Sequence, residues 1–156
     1  MSFIVTGLPV EAFAPLVGLS DAALAEHGAV RRTAVASGRF PCRVTLEDAP
    51  AGQTVLLVNY QHQGAATPYR SNYAIYVSEA ARETRRLAGA LPPVLRGRPI
   101  ALRAFDADGM LIGAELALDD NVEAAIGRQF ANPAAAYLHA HNAAHGCFAA
   151  RIDRAG

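Results

Sequence analysis

The chain has no lysine, only two cysteines and no long uninterrupted apolar run. Each shortage excludes something. Two cysteines, Cys42 and Cys147, cannot form the disulfide framework of a small secreted domain. No segment approaches the ~18 consecutive apolar residues of a membrane span. The opening "MSFIVTGLPVEAF" lacks a basic stretch followed by a long apolar core, so no signal peptide is expected. Basic and acidic residues number 14 each and cancel, so no global field draws the chain to nucleic acid or acidic lipid. These absences predict a cytoplasmic protein with neither nucleic-acid nor membrane partners. All 14 basic residues are arginine. With so much alanine present, that reads as the mark of a GC-rich genome, although a guanidinium fork does suit carboxylates and phosphates.

What is present is a chain of 156 residues, 52% hydrophobic and 18% charged, without repeats or low-complexity linkers. That length can bury a sizeable core, and residues 1–156 are expected to form a single domain. "FIVTGL" is a short strand candidate. "LSDAALAEHG" starts a helix at Ser20 and stops it at Gly28. Strands are expected around 42–47 and 54–60, with a turn at Asp48, Pro50 and Gly52. The run "TVLLVNY" is apolar enough for a strand covered on both faces. "PYRSNYAIYVSE" places Tyr73, Ile75 and Val77 on one strand face. "SEAARETRRLAGA" has helical composition but a thin apolar face, and reads as an exposed, partly helical excursion.

The clearest local signal is "PIALRAFDADGMLIGAELAL", two strands around a "DADG" hairpin turn. Asp106 and Asp108 alone lack the ligand series of a calcium loop. "DDNVEAAIGRQFANP" is an amphipathic helix burying Val122, Ala125, Ile126 and Phe130, with Asp119 or Asp120 at the N-cap. This order predicts an α+β fold: one mostly antiparallel, or mixed, sheet with a few helices packed on it.

Chemistry concentrates in "YLHAHNAAHGCFAARID", residues 137–153, which holds three of the five histidines and Cys147. As a strand, it would put Tyr137, His139 and His141 on one face, the histidines rooted ~6.6 Å apart at ~3.3 Å per residue. As a helix, it would align His141 with His145 instead. The alternation over 136–141 favours a strand, "NAAHG" a turn, and "CFAARID" a second strand. His145 then falls in the turn. Cys147 lies near His141, but a one-residue slip decides whether they share a face.

The residues "PCRVTLEDAPAGQTVLLVNYQHQ", "PYRSNYAIYV", "LRAFDADGM" and "AYLHAHNAAHGCFAARIDR" resemble an uncharacterised bacterial family, domain of unknown function 1203. The most typical motifs are Pro41-Cys42-Arg43, Asn59-Tyr60 with His62, Tyr69-Arg70, and His139-Ala140-His141-Asn142 with Gly146-Cys147; His145 lies outside the pattern. The resemblance implies a small single-domain protein and carries no established activity with it.

Three chemistries fit these residues. His62, His139 and His141, or Cys147 in place of His62, could bind a divalent transition metal such as zinc, nickel or iron, with an open position for water and with Asn142 or Asp153 supporting the ligands. Cys147 could be a nucleophile or redox thiol, paired with Cys42 or activated by Arg43 or Arg151. Tyr60, His62, Tyr69, Arg70, Tyr73, His139, His141 and Asn142 could line a pocket for a small anionic or amide-bearing molecule. The functional expectation is a small-ligand-binding or enzymatic domain built on His62, His139, His141, Asn142 and Cys147. The alternative is a non-catalytic structural or protein-interaction domain. Oligomeric state is left open.

Overall fold

Residues 2–156 are described in a computed structural model. In chain order the strands are β1 (Phe3–Thr6), β2 (Val30–Thr33), β3 (Thr54–Gln63), β4 (Ser71–Ser78), β5 (Arg86–Ala88), β6 (Ile100–Phe105), β7 (Leu111–Ala117), β8 (Tyr137–Asn142) and β9 (Phe148–Arg154). Helix α1 spans Asp21–Glu26 and α2 spans Val122–Phe130. Six strands form one sheet in the order β5-β1-β9-β8-β6-β7, and β2-β3-β4 form a second. The strand pairings of both sheets are antiparallel. The fold is α+β, as expected, with two sheets in place of one. No helix among the described residues is long and apolar enough to cross a membrane.

Local chemistry explains several elements. Ser20 caps α1 by accepting a hydrogen bond from the Ala23 N–H, and Gly28 ends it at φ +67°. In the β6–β7 hairpin, Asp106 Oδ1 accepts from the N–H groups of Asp108 and Met110, while Gly109 takes φ +82°. Helix α2 buries Val122, Ala125, Ile126 and Phe130 in one cluster with Leu102, Leu138, Ala140 and Ile152 of the large sheet. A second cluster gathers Leu56, Val58, Ile75 and Val77 of the small sheet with Phe13, Leu24 and Phe148. The large sheet is therefore covered on both faces near β8 and β9. Burying each large aliphatic side chain contributes about 2 kcal/mol.

Four expectations need correction. Residues 42–47 form a tight loop, not a strand: Leu46 adopts φ +58°, and its N–H returns to the Cys42 carbonyl. Their alternation is real but serves two cores, Cys42 and Val44 packing in one and Leu46 in the other. The segment after β4 is not helical: β5 forms there because Leu87 pairs with Val5 of β1, tertiary pairing overriding helical composition. Asp119 and Asp120 do not cap α2, since both adopt positive φ in the turn before it and Asn121 occupies the N-cap position. "TVLLVNY" is covered on both faces only in its first half, because Val55, Leu56 and Val58 are buried while Asn59 is exposed.

Candidate functional site

Residues 137–153 do form a strand–turn–strand hairpin, β8 and β9, with His145 in the turn. Its register contains one break. Leu138 faces Ile152 and Ala140 faces Ala150, yet His141 faces Phe148, so Ala149 is an extra residue. Such a bulge moves the side chains beyond it to the opposite face. Phe148 thereby leaves the face of Ala150 and Ile152 and joins the histidines. Cys147 falls opposite Asn142, whose N–H donates to the Cys147 carbonyl. A second break lies between Gln61 and Gln63 of β3, and leaves His62 as the unpaired residue. Both bulges aim rings at one place.

There the three imidazoles converge. The His62 ring centre lies 5.1 Å from His141 and 6.1 Å from His139, and His139 and His141 are 6.3 Å apart. His62 stacks on Phe148 at 5.4 Å, and Phe105 packs against His139 at 5.0 Å. His139 and His141 are buried, 3% and 1% exposed, where a strand with one solvated face would have left them partly open. The difference arises because the small sheet covers that face as α2 covers the other.

Burial is the largest influence on all three rings, since it penalises the charged form. It lowers His139 to about 3, helped by the neighbouring His141 and His62 and by Arg151 and Arg103. It lowers His141 to about 4, against the opposing effect of a hydrogen bond to the Gly146 carbonyl. His62 is also lowered by burial and by Arg103, against the Tyr60 carbonyl. The rings are neutral near pH 7. The His141 Nδ1 is 2.9 Å from the Gly146 carbonyl oxygen, which only accepts, so Nδ1 carries the proton and Nε2 the lone pair. That Nε2, the His139 Nδ1 and the His62 Nδ1 are buried without a hydrogen-bond partner. Among the described residues no group of three or more His, Cys, Asp or Glu side chains could hold a metal ion. Ring-to-ring packing against Phe105 and Phe148 orders this cluster.

Cys147 lies in a different setting. Arg43, only 2% exposed, enters from the 42–47 loop and places its guanidinium against β9. Its Nε donates to the Phe148 carbonyl at 2.8 Å, Nη1 to the Pro41 carbonyl at 2.6 Å and Nη2 to the Cys147 Sγ at 3.0 Å. Asn142 Nδ2 donates to the same sulfur at 3.4 Å. No carboxylate is among these partners of Arg43. Burial pushes the guanidinium below its usual range, while the Cys147 and Cys42 sulfurs push it back up. Arginine nonetheless keeps its proton in proteins, so a cation is fixed beside the sulfur. A cavity of about 270 Å³ opens over this group, lined by Arg39, Arg43, Arg98, Asn142, His145 and Cys147 among others. Cys42 is also a free buried thiol, but its sulfur accepts from the Thr45 and Ser78 N–H groups and does not line the cavity.

The proposed five-residue pocket is thus divided. Asn142 and Cys147 belong to the cavity, whereas His62, His139 and His141 form the interior cluster. Tyr60 packs on Phe13 at 5.4 Å. Tyr69 and Arg70 are exposed beside β4, with Arg70 reaching the Gly64 carbonyl at 3.4 Å, and Tyr73 is 52% exposed. None of these four lines the cavity. Arg151 pairs with Asp153 and lies over the Tyr137 ring, so of the two arginines considered for the thiol only Arg43 reaches it. Sequence reasoning missed Arg39, Tyr76 and Arg98, which the fold brings together from segments far apart. It also set His145 aside, although the turn carries it into the cavity wall.

No curated protein and no solved structure matches the chain. One protein family does: the family described as "Protein of unknown function (DUF1203)" matches residues 39–154, from the arginine at the cavity rim through all but the last two residues of the chain, and the chain belongs to it.

Proposed function

We propose that this is a bacterial cytoplasmic small-ligand domain with enzymatic capacity, and that its working site is the cavity over Cys147. One observation carries the reading: a buried arginine without a carboxylate partner directs Nη2 at the cysteine sulfur on the floor of a cavity. A buried cation needs a compensating negative charge, and the thiol is the ionisable group hydrogen-bonded to it. The same arrangement aims two donors at a sulfur that borders open space, the setting of a cysteine nucleophile. Asn142 steadies that sulfur from a second side. His141 acts at one remove, its Nδ1–H holding the Gly146 carbonyl beside Cys147. A reducing cytoplasm keeps both thiols free.

Alkylation by iodoacetamide, followed by intact mass, tests the reading. Cys147 is expected to react at pH 7 about ten times faster than free cysteine, which is only a few per cent thiolate there. Cys147→Ser should remove the fast phase and leave Cys42 unlabelled. A sulfur inert below pH 8 overturns the proposal and leaves a non-catalytic structural or interaction domain.

A further inference from the structure

The cavity over Cys147 has a charged lining of one sign. Arg39, Arg43 and Arg98 contribute to it, and no aspartate or glutamate does. The rest of the wall is largely apolar, from Pro41, Tyr76, Pro99 and two alanines of the β8–β9 turn. The three guanidiniums differ in what remains free. Arg43 is committed to two carbonyls and the sulfur. Arg98 pairs with Asp48, a residue outside the lining. Arg39 is exposed at the rim, and its hydrogen bond to the Gly97 carbonyl is long, 3.5 Å. Its fork is available for bidentate recognition of a carboxylate or phosphate.

We infer that the cavity takes a small organic anion with an apolar body. Arg39 holds the anionic group at the rim, Arg98 stays paired with Asp48, and the body lies against Tyr76 and the prolines above the Cys147 sulfur. A cavity of about 270 Å³ lies below the ~300–1,000 Å³ of sites for drug-sized molecules, so the ligand is small. This inference rests on the cavity being the ligand site, and adds the charge of what enters it.

Two reagents that differ in charge separate the two claims. Iodoacetate and iodoacetamide alkylate by the same displacement: a sulfur–carbon bond forms, the carbon–iodine bond breaks and iodide leaves. At low salt, the iodoacetate-to-iodoacetamide rate ratio at Cys147 is expected to be about five times that of free cysteine. It should fall about threefold in Arg39→Gln and collapse at 0.5 M salt, where screening is short-ranged. A ratio equal to that of free cysteine, with Cys147 still reactive, overturns the anion inference and leaves the thiol reading intact. If Cys147 resists both reagents, the thiol reading fails, and Cys147→Ser then decides the ligand class. In that variant benzoate, and not benzamide, should shift the amide resonances of residues 143–147. Equal shifts from the two, or none from either, overturn the inference.

Discussion

The histidine cluster and the Cys147 cavity lie on the same hairpin and contrast in almost every physical respect. The cluster gathers three titratable rings that burial holds neutral, and three of their buried nitrogens have no partner. The cavity gathers a fixed cation, a sulfur with two donors aimed at it and an opening to solvent. Eye-catching residue types are concentrated in the first, and a buried cation beside open space in the second. What distinguishes a site is a charge that the fold leaves without a conventional partner, next to space a ligand can enter.

Acid should break the comparison most strongly. Unfolded imidazoles take up protons below about pH 6.5, whereas His141 and His139 resist until about 4 and 3. Between those limits the unfolded state binds more protons, so stability falls as pH falls. At pH 5 each ring is expected to cost about 2 kcal/mol relative to pH 7.5. Urea unfolding across pH measures this, and a His139→Phe, His141→Phe double variant should flatten the curve. A wild-type profile that is already flat from pH 7.5 to 5 contradicts burial of neutral rings.

Arg43→Leu comes next. It strands the Pro41 and Phe148 carbonyls and removes the cation beside the sulfur, and is expected to cost about 3 kcal/mol. Alkylation of Cys147 at pH 7 should slow toward the rate of free cysteine. Unchanged alkylation in a folded variant would mean that the guanidinium does nothing for the thiol. The smallest effect is expected at the cluster itself. At pH 7.5, His139→Phe alone should change stability by no more than about 1 kcal/mol, because an unpartnered buried nitrogen is exchanged for carbon. A loss of several kcal/mol would show that the His139 nitrogens have partners the ring geometry does not reveal.

Much of the local structure was legible in the sequence because its causes are local. The "DADG" turn follows from one aspartate and one glycine, α1 from a serine cap, and the buried face of α2 from 3.6-residue spacing. The hairpin at 137–153 followed from alternation on either side of the "NAAHG" turn. Where expectation failed, the cause was non-local. The alternation of 42–47 serves two separate cores, and "RLA" becomes β5 through its partner β1.

The candidate site divides in the same way. Its motif residues, Arg43, His62, His139, His141, Asn142 and Cys147, could be picked out by type and spacing. Their partners could not, because β-strand periodicity carries no mark of where a single residue is unpaired. The Ala149 bulge sets Cys147 opposite Asn142 and turns Phe148 toward the histidines, and His62 is itself the extra residue of its strand. Arg39 and Arg98 reach the cavity from a loop and a turn more than fifty positions apart. The sequence by itself determined both helices, the two C-terminal hairpins and the candidate side chains, because propensity and periodicity act over a few residues. Only the tertiary structure decided which side chains meet, because a one-residue change of register inverts a strand's faces and sheet packing then fixes what lies against them.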